Sequence, residues 1–156
     1  DAGRDASTFI TQLNGGAPIT LDEASSEFGG LTLRTLDTAG SSDDEGAISI
    51  FENASMVLNQ IGTTSTFTAV SRGSMISSEG STLSVGGAAS VTTRLDGGAV
   101  ISLTGSMNSF GSIFAQSLDG AGSATEDGLI TIFESDAMDI AGITTDATAA
   151  LTSQGA

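Results

Sequence analysis

Apolar residues in this chain recur two positions apart in short runs, and Gly, Asn, Asp or Ser bound each run. Thr8-Phe9-Ile10-Thr11, Leu31-Thr32-Leu33-Arg34-Thr35-Leu36, Ile48-Ser49-Ile50, Thr66-Phe67-Thr68-Ala69-Val70 and Leu83-Ser84-Val85 all show it. A period of two turns one set of side chains inward and the other outward, which predicts strands. The bounding residues supply the positive φ or local hydrogen bonds that turns need. The stretch nearest to helical spacing, Glu52 to Ile61, also reads as strand, so the predicted class is all-β.

Slid against itself so that Asp1 falls on Leu83, the chain aligns without gaps. Thr11 to Leu21 falls on Thr93 to Leu103, Phe28-Gly29 on Phe110-Gly111, and Leu36 to Ser41 on Leu118 to Ser123. Gly46-Ala47-Ile48-Ser49-Ile50-Phe51-Glu52 falls on Gly128-Leu129-Ile130-Thr131-Ile132-Phe133-Glu134, and 26 of the 74 aligned pairs are identical. This tandem repeat, about 82 residues long, divides a single segment, 1–156, into copy 1 (1–82) and a truncated copy 2 (83–156).

Each unit carries about eight strand-like runs, which predicts about four coils of roughly 20 residues per unit. The chain then reads as a parallel β-solenoid of about eight coils, roughly 38 Å long if each coil rises about 4.8 Å. A coil that short buries its apolar residues only by stacking on the next. Scattered Thr and Ser suit the outward strand faces, and the seven Phe residues read as core plugs or stacked ladder members. The opening Asp1-Ala2-Gly3-Arg4-Asp5 reads as a cut within something longer, though a removed signal peptide or an engineered boundary gives the same reading, and no cap is evident at either end. The open ends are therefore expected to continue into flanking repeats or to stack on copies of the chain.

Charge narrows the function. Nineteen acidic residues face four Arg and no Lys, a net charge of −15. Such a surface repels phosphate backbones and anionic membranes, so nucleic acid and membrane surface are excluded as partners. No 18-residue apolar run offers a membrane span. His and Cys are absent, which removes the usual zinc, copper, haem and iron–sulfur ligands along with the Ser-His-Asp and Cys-His catalytic designs. Carboxylates, hydroxyls and Arg remain.

Among these, the acidic turns Asp43-Asp44-Glu45 and Glu126-Asp127 are the candidate calcium ligands, since calcium takes six to eight oxygens. The EF-hand and nonapeptide calcium spacings are missing, so solvated turns are the competing reading. Glu52 and Glu134 follow identical Ile-x-Ile-Phe runs; their repetition argues for structure, because a catalytic site is normally built once. Arg34 and Arg72 align with Gln116 and Gln154, which favours surface solvation over a lyase-type Arg–carboxylate site. Asn53-Ala54-Ser55 fits a glycosylation sequon that its copy, Ser135-Asp136-Ala137, lacks. Gly15-Gly16 and Gly97-Gly98 read as turns and not phosphate loops.

The phrases Asn14 to Leu21, Phe28 to Leu36 and Gly73 to Val85, with their copies Asp96 to Leu103 and Phe110 to Leu118, resemble the repeats of filamentous-haemagglutinin-like, autotransporter-type bacterial surface proteins. The resemblance covers Ala6 to Gly155. It departs where Ala149-Ala150-Leu151-Thr152 replaces Phe67-Thr68-Ala69-Val70. It implies a right-handed β-helix that is secreted, displayed on a cell surface and adhesive or structural, with no catalytic residue in its repeats. The expected function is thus a fibre, stalk or filament element whose partners are copies of itself, flanking repeats, or surface glycans and other cells. A polysaccharide lyase or hydrolase on the same scaffold, or a calcium- or carbohydrate-binding module, are the alternatives.

Overall fold

The computed structural model describes residues 5–155, and Arg4 with the rest of the opening tetrapeptide lies outside them. The described residues form twelve strands and no helix: β1 (Ser7–Gln12), β2 (Ile19–Leu21), β3 (Gly30–Leu36), β4 (Ile48–Glu52), β5 (Met56–Thr63), β6 (Phe67–Ser71), β7 (Met75–Arg94), β8 (Ile101–Leu103), β9 (Ser109–Leu118), β10 (Ile130–Glu134), β11 (Ile140–Thr144) and β12 (Ala149–Ser153). Every pairing between these strands is parallel, and together they make one twelve-stranded sheet nearly closed on itself. Leu36–Asp43 and Leu118–Thr125 are isolated antiparallel bridges at equivalent places in the two repeats.

Three ladders carry the pairing. The first stacks Phe9, Leu33, Ile61 and Leu83. The second stacks Ile19, Ile48, Phe67, Ala89, Ile113 and Ile140. The third stacks Met56, Met75, Ile101, Ile130 and Ala149, and below Met56 the pairs Leu58–Leu31 and Leu31–Ser7 carry it on through β3 to β1. Strand β7 shows the path on its own: Met75 lies in the third ladder, Leu83 in the first and Ala89 in the second. Gly80, with φ +77°, and a register shift at Gly86-Gly87 separate these stretches within the one strand.

The expected coil count is not reached among the described residues. The longest run of paired strands, β1-β3-β5-β7-β8-β10-β12, has seven levels among the described residues, against the eight expected. The chain travels from Ile19 to Ile48, and again from Ile113 to Ile140, before it meets itself, a longer path than the expected coil. Three strand stretches complete the circuit that β7 follows, whereas the last circuit, through β10 and β11, has two. The period-two pattern counts strands but does not register how many corners separate one level from the next.

Alternation along each strand builds the interior. β4 and β10 both read buried, half-buried, buried, half-buried, buried. Leu31, Leu33, Ile50, Leu58, Ile61 and Leu103 sit inside with at most 2% of their surface exposed. Each such side chain contributes about 1.5–3 kcal/mol of apolar burial, set against the ordering of a long chain.

Two expectations about side-chain placement hold in part. Ser and Thr are not confined to outward faces: Thr35, Thr63, Ser71, Thr93 and Ser117 are buried. Several of these stand at strand ends, where the chain turns a corner and ladder bonding stops, and their hydroxyls donate to corner carbonyls. Thr35 bonds Asp44 O at 2.7 Å, Thr63 bonds Gly46 O at 2.7 Å, and Thr93 bonds Ala99 O at 3.1 Å. A buried carbonyl left without a partner is costly, which places hydroxyls inside. For Phe the core-plug alternative holds at two positions, and no pairing between the described strands sets one Phe on another. Phe67 and Phe110 are interior; Phe9 and Phe28 pack edge to face with centroids 5.8 Å apart. Phe51 and Phe133 are half-buried, alternating with inward Ile and Glu.

Candidate functional site

The acidic turns are drawn into the backbone. Asp44 accepts from Gly15 N at 3.1 Å through Oδ2 and from Glu45 N at 2.7 Å through Oδ1. Glu126, its counterpart, accepts from Gly97 N at 3.2 Å. Asp43 takes the Arg34 guanidinium at 2.7 and 3.0 Å. Glu45 and Asp127 are exposed. Among the described residues, no group of three or more Asp and Glu is placed to hold a metal ion, so the turn carboxylates are not gathered into a calcium cage. Nearby, Asp37 and Asp119 hold the Ser41 and Ser123 amides at 2.9 and 2.7 Å, and these bonds lower both carboxyl pKa values.

The feature that sequence reading missed is a buried carboxylate clamp. Glu52 and Glu134 are fully buried, and the Oε1 atom of each accepts a backbone N–H, from Phe28 at 2.9 Å and from Phe110 at 2.8 Å. The clamp ties the loop before β3, and in the second copy the start of β9, to the end of a strand one level on. Its signal was present in the sequence, because Phe28-Gly29 precedes Glu52 by the same interval that separates Phe110-Gly111 from Glu134. Periodicity alone placed the Glu on an inward position without saying what it bonds.

Burial pushes the Glu134 carboxyl up to about 7; the Phe110 N–H opposes this, while Asp136 and Asp139 add to it. Asp136 and Asp139 replace Ala54 and Val57 of the first copy. The unfolded carboxyl titrates near 4.5, so the folded chain holds an extra proton between about pH 4.5 and 7. Stability from this group is therefore full below about pH 4.5, falls as pH rises to about 7, and is flat above. The shift sets an upper bound of about 3 kcal/mol, which solvent close to this thin wall reduces to about 1–2 kcal/mol. Glu134→Gln keeps the acceptor for Phe110 and removes the titration. Between pH 4.5 and 7.5 the melting temperature of the parent chain should fall by about 3–6 °C more than that of the variant; parallel curves would refute the assignment.

A groove of about 690 Å³ is lined by Phe28, Gly29, Gly30, Ala54, Ser55, Val57, Arg72, Gly73, Ile76 and Leu95. Arg72 also stands 5.8 Å over the Phe51 ring. The lining brings one guanidinium and no carboxylate, so the Arg–carboxylate pair envisaged for a lyase is not assembled there. Asn53, in the sequon, is exposed and donates its backbone N–H to Ser26 O at 2.9 Å.

The last level is the most open part of the sheet. Among the described residues, β11 pairs only with β9, and β12 only with β10. Ile140 is 46% exposed, whereas Leu58, its equivalent in the first copy, is 0% exposed. Ile143 and Leu151 are half-buried, whereas Ile61 and Ala69 are fully buried. No known family model matches the chain, and neither a curated protein nor a solved structure matches it.

Proposed function

We propose that the chain is a structural or adhesive element of an extracellular bacterial fibre, stalk or filament, wound as a parallel β-solenoid of six turns. The winding takes the right hand that parallel strand crossovers favour. One observation carries the reading: parallel ladders run unbroken across the boundary between the repeats, with Phe67–Ser71 of copy 1 paired to Ala89–Thr93 of copy 2. A fold in which each repeat seats the next is extended by adding repeats, and it resists pulling because every inner level is bonded to both neighbours. The acidic surface keeps neighbouring shafts apart. The role is mechanical and uses no catalytic residue. The phrasing shared with filamentous-haemagglutinin-like repeats supports a position on the cell surface.

Antibody raised against the folded chain is expected to decorate intact source cells along thin, unbranched projections in electron micrographs, and protease applied outside the cells should remove the label. Label confined to the cell interior would overturn the reading.

A further inference from the structure

The junction between the repeats also specifies a joint between chains. At that junction β6 pairs with the last third of β7, with Phe67 opposite Ala89, Ala69 opposite Val91 and Ser71 opposite Thr93. One repeat length after β6 lies β12, and one repeat length before that part of β7 lies β1. Among the described residues, β12 pairs only with β10, and β1 only with β3. The molecule thus carries, as separate strand edges, the two halves of an interface it already contains.

We infer that β1 of one copy of this chain seats on β12 of another, in the register of the internal junction. Ser7 then lies opposite Ala149, Thr8 opposite Ala150, Phe9 opposite Leu151 and Thr11 opposite Ser153. The inference rests on the fibre reading and names its partner: a second copy, head to tail. The facing positions agree in orientation. Ser7, Phe9 and Thr11 are the half-buried positions of β1, and Leu151 is the half-buried position of β12. Side-chain bulk is conserved across the joint. The internal junction sets a large residue over a small one twice, Phe67 on Ala89 and Val91 on Ala69; the external one gathers both large residues, Phe9 and Leu151, at a single step.

The ladders also fix the geometry of the stack. Copy 2 does not continue the ladder of its own equivalents: residues 89–93 match 7–11 yet extend the ladder of β2, β4 and β6. Each repeat therefore advances three turns and one ladder. A chain added to β12 is displaced by six turns and two ladders, an axial rise of about 32 Å at about 4.8 Å per turn.

The chain has no cysteine, so single cysteines report the joint cleanly. Ala150, Thr8 and Gln12 are exposed. Mixing A150C chains with T8C chains under mild oxidation should link them about ten-fold more than mixing A150C with Q12C, because a disulfide needs Cα atoms within about 7 Å and Gln12 lies about 13 Å along the strand from Thr8. The unmodified chain should show a mass that rises with concentration in sedimentation. Equal linking of both mixtures, linking of A150C to itself, or a single mass with no linking would each overturn the joint. Surface label on cells with unlinked chains would remove this joint and leave the fibre reading standing; linked chains without surface label would do the reverse.

Discussion

Leu58→Ala is expected to destabilise the chain by about 2–5 kcal/mol, the range for emptying a packed interior position, while Ile140→Ala costs under about 1 kcal/mol. The two residues are equivalents in the repeat, with near-identical local sequence roles, and both precede a register shift in their ladders. They differ in what lies above them. Leu58 is wholly buried, between Leu31 on one side and Ser77 on the other. Among the described residues Ile140 is paired to Ile113 alone, and it is 46% exposed. Removing methyl groups from Leu58 leaves a void that β3 and β7, bonded on both sides, do not collapse to fill. At Ile140 water already occupies the outer side. Urea unfolding of both variants measures the difference, and similar losses at the two positions would contradict the described end level.

Gly16→Ala and Gly98→Ala should cost upward of about 4 kcal/mol, a size reserved for specific structural insults, whereas Gly15→Ala and Gly97→Ala cost about 1–2 kcal/mol. All four glycines have positive φ, between 74 and 83°, so left-handed strain of about 1–2 kcal/mol is common to them. Space separates them. A Cβ at Gly15 or Gly97 meets nothing within 4 Å. A Cβ at Gly16 lands on the backbone of Glu45 and Gly46, and one at Gly98 on the backbone of Asp127 and Gly128. Those backbones do not give way, since Thr63 holds Gly46 O at 2.7 Å and Thr145 holds Gly128 O at 2.6 Å. Thermal unfolding of the four variants tests this, and equal losses within each pair would exclude the close approach.

Much of the chain was legible before any fold was known. The runs at Leu31–Leu36, Ile48–Ile50 and Thr66–Val70 became parts of β3, β4 and β6, because alternation records directly which side chains face inward. Gly15-Gly16 and Gly97-Gly98 became turns, and a hydrogen bond from each second glycine to Leu13 O or Leu95 O, at 2.9 Å in both, closes them. Thr35 and Ser71 were illegible as interior residues. A hydroxyl is polar by composition, and its burial depends on a corner carbonyl that only the folded chain brings to it. Glu52 and Glu134 were seen as a repeated pair, but the Phe28 and Phe110 amides that hold them come from another level.

The sequence by itself determined an all-β chain of short strands, a tandem repeat, its turn positions and the absence of His and Cys chemistry. These follow from local facing, local backbone freedom and residue type. Tertiary structure alone decided that the chain along β7 crosses three ladders in one circuit, that the longest ladder has seven levels, and that copy 2 joins the ladder beside its own equivalents. Those outcomes depend on how sharply each corner bends and on which strand edge is free when the next stretch arrives, quantities set by hydrogen bonding between residues far apart in the chain.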